Sequence, residues 1–349
     1  MVRLLPRSFM NRSSLRDFVY IFKTGEHLPA DRAILFYDLL LDENDENILD
    51  ELLRAWNEKG TSENELYYLA SIMRERVVKV RSRHEIFVDA VGTGGSSSKT
   101  FNVSTAAAFV IAGAGVPVAK HGNRAATSNS GSSDVLASLG VNPAVDAAKA
   151  EECLNSFGIC FMFAPNFHKL SPVLAKVRRE LGFPTIFNNL GPLCNPANAP
   201  HQIIGVWNKD LIEKTANVLA RLGTKRSWVV HGEDGLDEIT LNGRTHIAEV
   251  EDGKVKNFQI SPKDLGLEPS TLEKTRISSP DESANLIRSI LNNKCDVPAA
   301  VDLVLINSAA PIYLTGKAET LKEAMAMAKD SLNSGSALRK LNDLIKTTN

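Results

Sequence analysis

The chain has few cysteines and no long apolar run. Its four cysteines, Cys153, Cys160, Cys194 and Cys295, show neither a paired CxxC spacing nor the density of a secreted disulfide scaffold, which predicts reduced, mostly buried thiols. No stretch approaches the ~20 apolar residues of a membrane span, and the start MVRLLPRSFMNRSS lacks an apolar run of signal-peptide length. These absences predict a cytoplasmic protein that does not interact with membranes.

The chain also has no excess of charge of either sign. Lys and Arg number 40 against 41 Asp and Glu, which gives a net charge of -1. Such a balance provides no general attraction to nucleic acid or to anionic membranes, and we expect no nucleic-acid partner. Any anionic ligand must therefore be held by a local site. At 349 residues the chain is long enough for two domains.

The first part of the sequence has helical periodicity. Apolar residues recur at helical spacing from Ser13 to about Val80. Ser62 and Glu65 have the spacing of a capping box, which marks the start of one of these helices. The pattern predicts a small helical domain over 1–82.

From Ile86 onward, short apolar runs alternate with helical segments. The run IFVDAV is followed by GTGG and by the Ala-rich STAAAFVIAGAG, and similar units begin at VPVAK, ICFMFA, QIIGVW and SWVVHG. Repeated βα units predict a mostly parallel sheet that is covered by helices. Residues 237–260 look strand-like, with Asn-Gly and Asp-Gly turns, so we expect an antiparallel excursion there before a helical C-terminal third.

Two neighbouring motifs indicate an anion site. Gly92-Thr93-Gly94-Gly95 lies between a predicted strand and a helix that starts near Ser104, where glycine backbone angles and helix amides suit a phosphate. A simple tight turn is the alternative. Asn102-Val103-Ser104-Thr105 brings hydroxyl groups to the first turn of that helix, and here the alternative is helix capping by Ser104.

Two further motifs carry charge. Lys120-His121-Gly122-Asn123-Arg124 follows a strand at the edge where α/β sheets bind ligands, and its cations suit a phosphate-rich substrate. The Ser/Thr-rich TSNSGSSD after it adds donors; a solvated loop, with capping by residues 130–133, is the alternative. The adjacent carboxylates Asp237-Glu238 offer the hard oxygen ligands that Mg²⁺ prefers, the alternative being plain surface charge.

Taken in order, GTGG, NVST, KHGNR, SGSSDVLASLG, TIFNNLGPLCNPA and GLDEIT resemble the anthranilate phosphoribosyltransferases of tryptophan biosynthesis. The resemblance covers nearly the whole chain. It implies an α/β fold in which the small helical domain, 1–82 completed by about 166–183, is hinged to a large phosphoribosyl-binding α/β domain, 83–165 and 184–349. It also implies a homodimer that uses Mg²⁺ to transfer the phosphoribosyl group of phosphoribosyl pyrophosphate (PRPP) to anthranilate.

The same resemblance implies roles for individual residues. PRPP is expected to contact Gly92, Thr93, Gly94, Gly95, Ser96, Thr100, Asn102, Val103, Ser104, Thr105, Lys120, His121, Gly122, Asn123, Arg124, Ser128 and Ser132. Anthranilate is expected to contact Gly92, Asn123 and Arg178, with His121, Gly191 and Pro192 lining its path. The implied metal ligands are Ser104, Asp237 and Glu238. Arg179 is expected to be a solvated neighbour of Arg178.

Two positions depart from the residues usual in the family. Ser96 stands where the loop normally reads GTGGD, and Asn129 stands where a lysine is usual. One negative and one positive charge are thus missing near the diphosphate. The altered loop makes a paralogous transferase for another aromatic amine the second hypothesis, and a non-catalytic nucleic-acid-binding relative the third. The KHSTGG-type loop of pyrimidine nucleoside phosphorylases is not present in the sequence.

The implied reaction needs no nucleophile from the protein. The ribosyl C1–O bond breaks while Mg²⁺ takes up charge on the leaving pyrophosphate, and the anthranilate nitrogen attacks from the opposite face. An aryl amine carries little positive charge at neutral pH, so no strong base is required before the attack. Catalysis of this kind depends mainly on positioning and electrostatics.

Overall fold

The computed structural model describes residues 14–94, 100–124 and 130–349. Its N-terminal part is helical, as predicted, with α1 (Leu15–Lys23), α2 (Ala33–Asp42), α3 (Glu46–Lys59) and α4 (Glu63–Arg76). The predicted capping box starts α4: the Ser62 hydroxyl accepts from Glu65 N–H at 3.2 Å, and the Glu65 carboxylate accepts from Ser62 N–H at 2.8 Å. Both groups satisfy amides that the first helical turn leaves open.

The rest of the chain forms a sheet with helices. The strands are β1 (Val88–Gly92), β2 (Val118–Gly122), β3 (Ile159–Phe163), β4 (His201–Gly205), β5 (Arg226–Gly232), β6 (Thr245–Glu251) and β7 (Lys254–Ile260). The helices are α5 (Val103–Gly113), α6 (Ser132–Ser138), α7 (Ala147–Phe157), α8 (Ala164–Phe167), α9 (Pro172–Glu180), α10 (Ile186–Leu193), α11 (Leu211–Arg221), α12 (Pro280–Leu291), α13 (Pro298–Leu314), α14 (Leu321–Asn333) and α15 (Ser336–Thr348).

The seven-stranded sheet has the order β3-β2-β1-β4-β5-β6-β7. Its first five strands are parallel, and β6 and β7 are antiparallel. The chain runs outward from β1 to β3 on one side and then returns to β4 on the other side of β1. Ligands of α/β sheets bind beyond the carboxyl ends of the strands at such a switch point. In this chain Gly92 pairs with Gly205 there.

Two buried apolar clusters lie against the sheet. The N-terminal helices pack around four aromatic side chains, with ring centroids 4.9 Å apart for Phe18 and Phe36 and 4.8 Å apart for Phe22 and Trp56. Residues of α9 and α10, and one face of the sheet, belong to the same cluster. The second cluster joins the other face to α5 and to helices α12 to α15. Apolar burial therefore connects the N-terminal helices directly to the sheet.

The antiparallel excursion expected within residues 237–260 is present as β6 and β7, but the strand-like pattern of its first part does not form a strand. Only β6 and β7 are strands, joined at Asp252-Gly253, and residues 237–244 form a loop. Side chains bind the backbone of this loop in place of a neighbouring strand: Ile239 N–H donates to Asn307 and Thr240 N–H to Thr245 Oγ1. None of the helices in the described ranges is long and apolar enough to cross a bilayer.

Candidate active site

A cavity of about 570 Å³ opens at the switch point of the sheet. Its walls come from the carboxyl ends of β1 and β2, the first turn of α5, the loop that carries Asp237 and Glu238, and residues of α8 to α10. The volume lies in the range typical of small-molecule sites. Motifs that are far apart in the sequence thus meet at one edge of the sheet.

The glycine loop leaves β1 with an unusual backbone. Gly94 has φ +66°, the left-handed region that glycine adopts readily. Thr93 ties the loop to β4, because its N–H and hydroxyl both donate to the Gly205 carbonyl, at 2.8 and 3.1 Å. The next predicted contacts, Gly95 and Ser96, lie outside the described residues.

The helix after this loop begins with Asn102 as its N-cap, so capping by Ser104 was a wrong alternative. Ser104 lies within the first turn, and its backbone N–H lowers the pKa of the nearby Glu238 carboxyl group. The Asn102 side chain does not cap the helix; it donates to the Ser130 carbonyl at 3.1 Å and accepts from the Ser283 hydroxyl at 2.9 Å. The helix start is therefore tied to α12 and to the backbone of Ser130.

Lys120 lies buried between two carboxylates. Its Nζ donates to the Ala90 carbonyl at 2.5 Å and to Ser104 Oγ at 3.3 Å. Burial lowers the pKa of Lys120, while the charges of Asp89 and Glu238 act in the opposite direction. The ammonium group therefore links β1 to α5 by hydrogen bonds and interacts with the charges of Asp89 and Glu238.

The carboxylate pair sits against the strand ends with almost no free space. A Cβ atom at Gly92 would lie 2.9 Å from Asp237 Oδ2, and one at Gly205 only 1.6 Å from the Asp237 carbonyl oxygen. Burial, followed by the neighbouring Asp237 charge, raises the pKa of Glu238 to about 8, with Lys120 opposing. The close packing of Asp237 on Gly92 and Gly205 thus restricts the position of the carboxylate pair.

The oxygens of Asp237, Glu238 and Ser104 fit Mg²⁺. The ion is a hard cation that proteins usually hold through one or two carboxylates, with water and substrate phosphates completing its shell. Among the described residues no group of three or more His, Cys, Asp or Glu side chains comes together as a metal cage. The donor set therefore suits a magnesium ion shared with a phosphate ligand.

The opposite wall of the cavity holds an arginine without a partner. Arg178, in the last turn of α9, stacks over the Phe187 ring with its Cζ 4.8 Å from the centroid. Its buried Nε has no hydrogen-bond acceptor among the described residues, and burial lowers the pKa of the guanidinium to about 10. The adjacent Arg179 is exposed. Arg178 thus offers an unsatisfied cation to an anionic, aromatic ligand.

Two neutral imidazoles lie beside this wall. The rings of His121 and His168 have centroids 5.0 Å apart. Because a carbonyl only accepts, His121 Nδ1 donates to Gly191 O at 3.1 Å. Burial lowers the pKa of His168 to about 4 and that of His121 well below its ordinary range. Both rings are therefore uncharged at neutral pH.

Three consecutive carbonyls at the end of α10 accept hydrogen bonds from different parts of the fold. The donor and acceptor pairs are His121 to Gly191 (3.1 Å), Gln202 to Pro192 (3.0 Å) and Arg74 to Leu193 (2.6 Å). These are the carbonyls that a helix leaves without partners at its end. The wall formed by Gly191 and Pro192 is thus fixed by β2, β4 and α4 together.

The next residue, Asn195, extends this network below the cavity. Its Nδ2 donates to Asp89 Oδ2 at 2.7 Å and to the Ala119 carbonyl at 2.8 Å. The other carboxylate oxygen of Asp89 accepts from His121 N–H at 3.1 Å. Burial raises the pKa of Asp89 to about 6, although Lys120 and the hydrogen bonds lower it. The buried carboxylate of Asp89 therefore links Asn195, just after α10, to His121 on β2.

Comparison with known proteins shows which family this chain belongs to. Residues 84–338 match the family described as "Glycosyl transferase family, a/b domain". An anthranilate phosphoribosyltransferase of Petrotoga mobilis is 39% identical over 93% of this chain and 94% of its own length. One of Anaeromyxobacter sp. (strain K) is 45% identical over 85% of this chain and 87% of its own. The chain belongs to the anthranilate phosphoribosyltransferase family.

Solved structures of anthranilate phosphoribosyltransferases share the fold. The Thermus thermophilus enzyme has a TM-score of 0.85 and 37% identity, with 95% of this chain and 99% of that chain covered. The Saccharomyces cerevisiae enzyme in complex with PRPP and Mg has a TM-score of 0.87 and 29% identity, with 97% and 99% covered. The predicted α/β fold class and the family resemblance are confirmed.

The cavity brings together nearly all the described residues that the resemblance to anthranilate phosphoribosyltransferases implies. The residues that line it are Gly92, Thr93, Gly94, Thr100, Asn102, Val103, Ser104, Lys120, His121, Gly122, Asn123, Arg124, Ser132, Arg178, Gly191, Pro192, Asp237 and Glu238. Thr105, in the first turn of α5, is buried and does not line it. Ser128 and the departure at Asn129 lie outside the described residues, as do Gly95 and Ser96.

Several lining residues were not predicted. They include Met73, Ala164, His168, Leu170, Ala175, Phe187 and Asn188. A signal existed for His168, because the segment APNFH directly follows β3 and therefore starts at the carboxyl edge of the sheet. Met73 carried no such signal, since its spacing in α4 is that of an ordinary core residue.

Proposed function

We propose that this protein transfers the 5-phosphoribosyl group of PRPP to the amine of anthranilate, giving N-(5-phosphoribosyl)anthranilate and pyrophosphate in tryptophan biosynthesis. One observation carries the proposal: a single cavity joins the strand edge with the glycine loop and two carboxylates to an apolar wall that contains Arg178, whose Nε has no acceptor among the described residues. The first half suits a diphosphate with Mg²⁺, and the second suits an aromatic carboxylate. Membership of the family supports the same assignment.

PRPP would lie against the glycine loop, the start of α5 and the KHGNR segment. Backbone amides and the positive end of a helix bind phosphate groups, and Lys120 and Arg124 add positive charge. Asp237, Glu238 and Ser104 would hold Mg²⁺, which when bound neutralises charge on the leaving pyrophosphate. Serine hydroxyls near Ser132 supply further donors.

Anthranilate would lie on the opposite wall. Its carboxylate pairs with the Arg178 guanidinium, and Phe187 packs beneath that guanidinium. The neutral rings of His121 and His168 leave Arg178 as the cation beside the acceptor. In this pose the amine points toward the ribose, and the protein contributes by orienting two substrates and excluding water.

We further infer a homodimer, a cytoplasmic location, and a hinge between the helical domain over 1–82 with 166–183 and the remaining α/β domain. Free cysteines support the location, since disulfides are rare in reducing compartments. Tyr20 and Ile34, on α1 and α2, are 71% and 59% exposed and support an apolar contact between subunits.

The direct test is incubation with PRPP, Mg²⁺ and anthranilate while the loss of anthranilate fluorescence is recorded. We expect turnover that requires all three components. No loss of fluorescence, together with pyrophosphate release in the presence of another aromatic amine, would favour the paralogous transferase. Tight, salt-sensitive binding in a mobility-shift assay without any transfer would favour the nucleic-acid-binding relative.

A further inference from the structure

Asn307 is a polar residue in the middle of an apolar helix. Its helix α13 buries Leu303, Val304, Ile306 and Ala310, among others, and Asn307 itself is 2% exposed. A buried amide without partners costs free energy. Its hydrogen bonds must therefore be made within the protein.

Two of the three hydrogen bonds of this amide leave the helix and bind one residue. Asn307 Oδ1 accepts from Ile239 N–H at 2.9 Å, and Nδ2 donates to the Ile239 carbonyl at 2.9 Å. The other Nδ2 hydrogen goes to the Leu303 carbonyl at 2.9 Å. The side chain thus holds both backbone polar groups of the residue that follows Asp237 and Glu238.

The strand ends restrain the same loop from the other side. Asp237 packs so closely on Gly92 and Gly205 that neither position has room for a Cβ atom without movement. The two carboxylates therefore lie on a short stretch of loop that is held between the ends of β1 and β4 and the amide of Asn307. No strand pairing holds residues 237–239 in the described structure.

We propose that Asn307 is a positioning residue for the magnesium site, which sets the direction of the Asp237 and Glu238 carboxylates through Ile239 without touching metal or substrate. The inference rests on the proposed function, because it requires this pair to ligate Mg²⁺ beside PRPP. Residues that orient metal ligands from outside the ligand set typically change metal affinity by roughly 10- to 100-fold when they are replaced.

The test compares Asn307→Ser with Ser308→Ala. A serine at 307 can hydrogen-bond within its own helix, as Ser308 does with the Val304 carbonyl at 2.7 Å, so it removes the contact to Ile239 while remaining compatible with an apolar helix. Ser308 is equally buried but bonds only inside α13, and Ser308→Ala is the matched control. If Asn307→Ser does not fold, Asn307→Leu, which is of similar size, takes its place.

The main measurement is the equilibrium binding of PRPP by calorimetry at a series of Mg²⁺ concentrations, without anthranilate. We expect Asn307→Ser to need roughly 10-fold or more Mg²⁺ for half-maximal binding. Its KM for anthranilate at saturating Mg²⁺ and PRPP should stay at the wild-type value. Ser308→Ala should match the wild-type protein in both measurements.

Wild-type Mg²⁺ dependence in Asn307→Ser, or an equal shift in Ser308→Ala, would overturn the proposal and leave Asn307 with a purely structural role. Failure of the proposed function gives a different pattern. A wild-type protein that binds PRPP with Mg²⁺ but does not consume anthranilate would refute the acceptor assignment, and the calorimetric comparison would still decide the role of Asn307.

Discussion

Arg178 provides a prediction at the scale of a single residue. Its guanidinium has no anionic partner among the described residues, and burial already holds its pKa at about 10, so a ligand carboxylate is the group that completes it. Arg178→Ala should raise the KM for anthranilate by roughly 10- to 100-fold, the equivalent of a charge-assisted contact of about 1.5–3 kcal/mol. Steady-state kinetics should show little change in the KM for PRPP. The exposed Arg179→Ala is the control, and an equal effect there would contradict the assignment.

Glu238 provides a second residue-scale prediction. Glu238→Gln keeps the size of the side chain but removes one of the two carboxylates expected to ligate Mg²⁺. The Mg²⁺ concentration for half-maximal activity should rise and kcat should fall. The thermal unfolding temperature without metal should not decrease, because burial disfavours the charged form of Glu238 and raises its pKa to about 8, whereas glutamine carries no charge. An unchanged magnesium titration would show that the pair is only buried charge.

The sequence motifs named most of the residues that line the cavity but did not predict how their side chains are oriented. Spacing placed Ser104 at the start of a helix, but it could not show that Asn102 is the N-cap or that Glu238, which lies 134 positions away in the chain, is near Ser104. Asp89 was missed, because its role comes from the tertiary partners Asn195 and His121 rather than from any local pattern. His168 was missed although its segment directly follows β3.

At the scale of elements, the end of α10 depends on donors from other strands and helices. Gln202→Met should remove the hydrogen bond to the Pro192 carbonyl while keeping the side-chain volume. If the loss of this hydrogen bond weakens anthranilate binding by about 0.5–1.5 kcal/mol, the KM for anthranilate should rise by roughly 2- to 12-fold. Ser227→Ala, a change at a fully buried neighbour on β5, should lower stability without that increase. Initial-rate kinetics of both variants would test this.

The N-terminal helices contain a buried ion pair that predicts a pH effect. Lys59 Nζ donates to Glu65 at 2.7 Å, with side chains 2% and 0% exposed. Burial raises the pKa of Glu65, but hydrogen bonds from Lys59, Ser62 and Leu28 more than offset this, so its pKa is lowered from the ordinary 4.5. The carboxylate therefore stabilises the fold above about pH 4.5, and this contribution is lost as the pH falls through its folded pKa.

Glu65→Gln should consequently reduce the free energy of unfolding by about 3–5 kcal/mol near pH 7, because the Lys59 charge loses its partner. Urea titrations should show that this difference shrinks as the pH falls below 4.5. The exposed pair of Lys23 and Glu51 is the control, and Glu51→Gln should cost less than about 1 kcal/mol. A pH-independent difference would contradict the role of the Glu65 charge.

Element prediction worked where local signals and packing agreed. The Ser62 capping box and the helices of the N-terminal part are observed as expected, since caps and helical periodicity are encoded within a few residues. The loop at 237–244 was mistaken for a strand, because its alternating pattern is local whereas the bond from Ile239 to Asn307 spans 68 residues. Strand order was likewise not predictable from periodicity, which carries no information about neighbours.

At the scale of the whole molecule, exposed apolar side chains on α1 and α2 predict self-association. Sedimentation velocity should give twice the mass of one chain at micromolar concentration. Replacing Tyr20 and Ile34 together with Glu should give the mass of a single chain, because two charges would have to be buried without partners. Val78 and Ile86, which are also exposed, supply a control double substitution outside these helices. A monomeric wild-type protein would refute the homodimer.

The tight contact of Asp237 with Gly92 and Gly205 also determines where this protein can be redesigned. Even one added methyl group at 205 overlaps the Asp237 carbonyl, so saturation libraries at that position should return only glycine. The other side of the cavity is bounded by Met73, Ala175 and Phe187, where side chains rather than backbone set the shape. Directed evolution toward bulkier aromatic amines should therefore accumulate its substitutions in α4, α9 and α10, while the phosphate-binding half of the cavity remains unchanged.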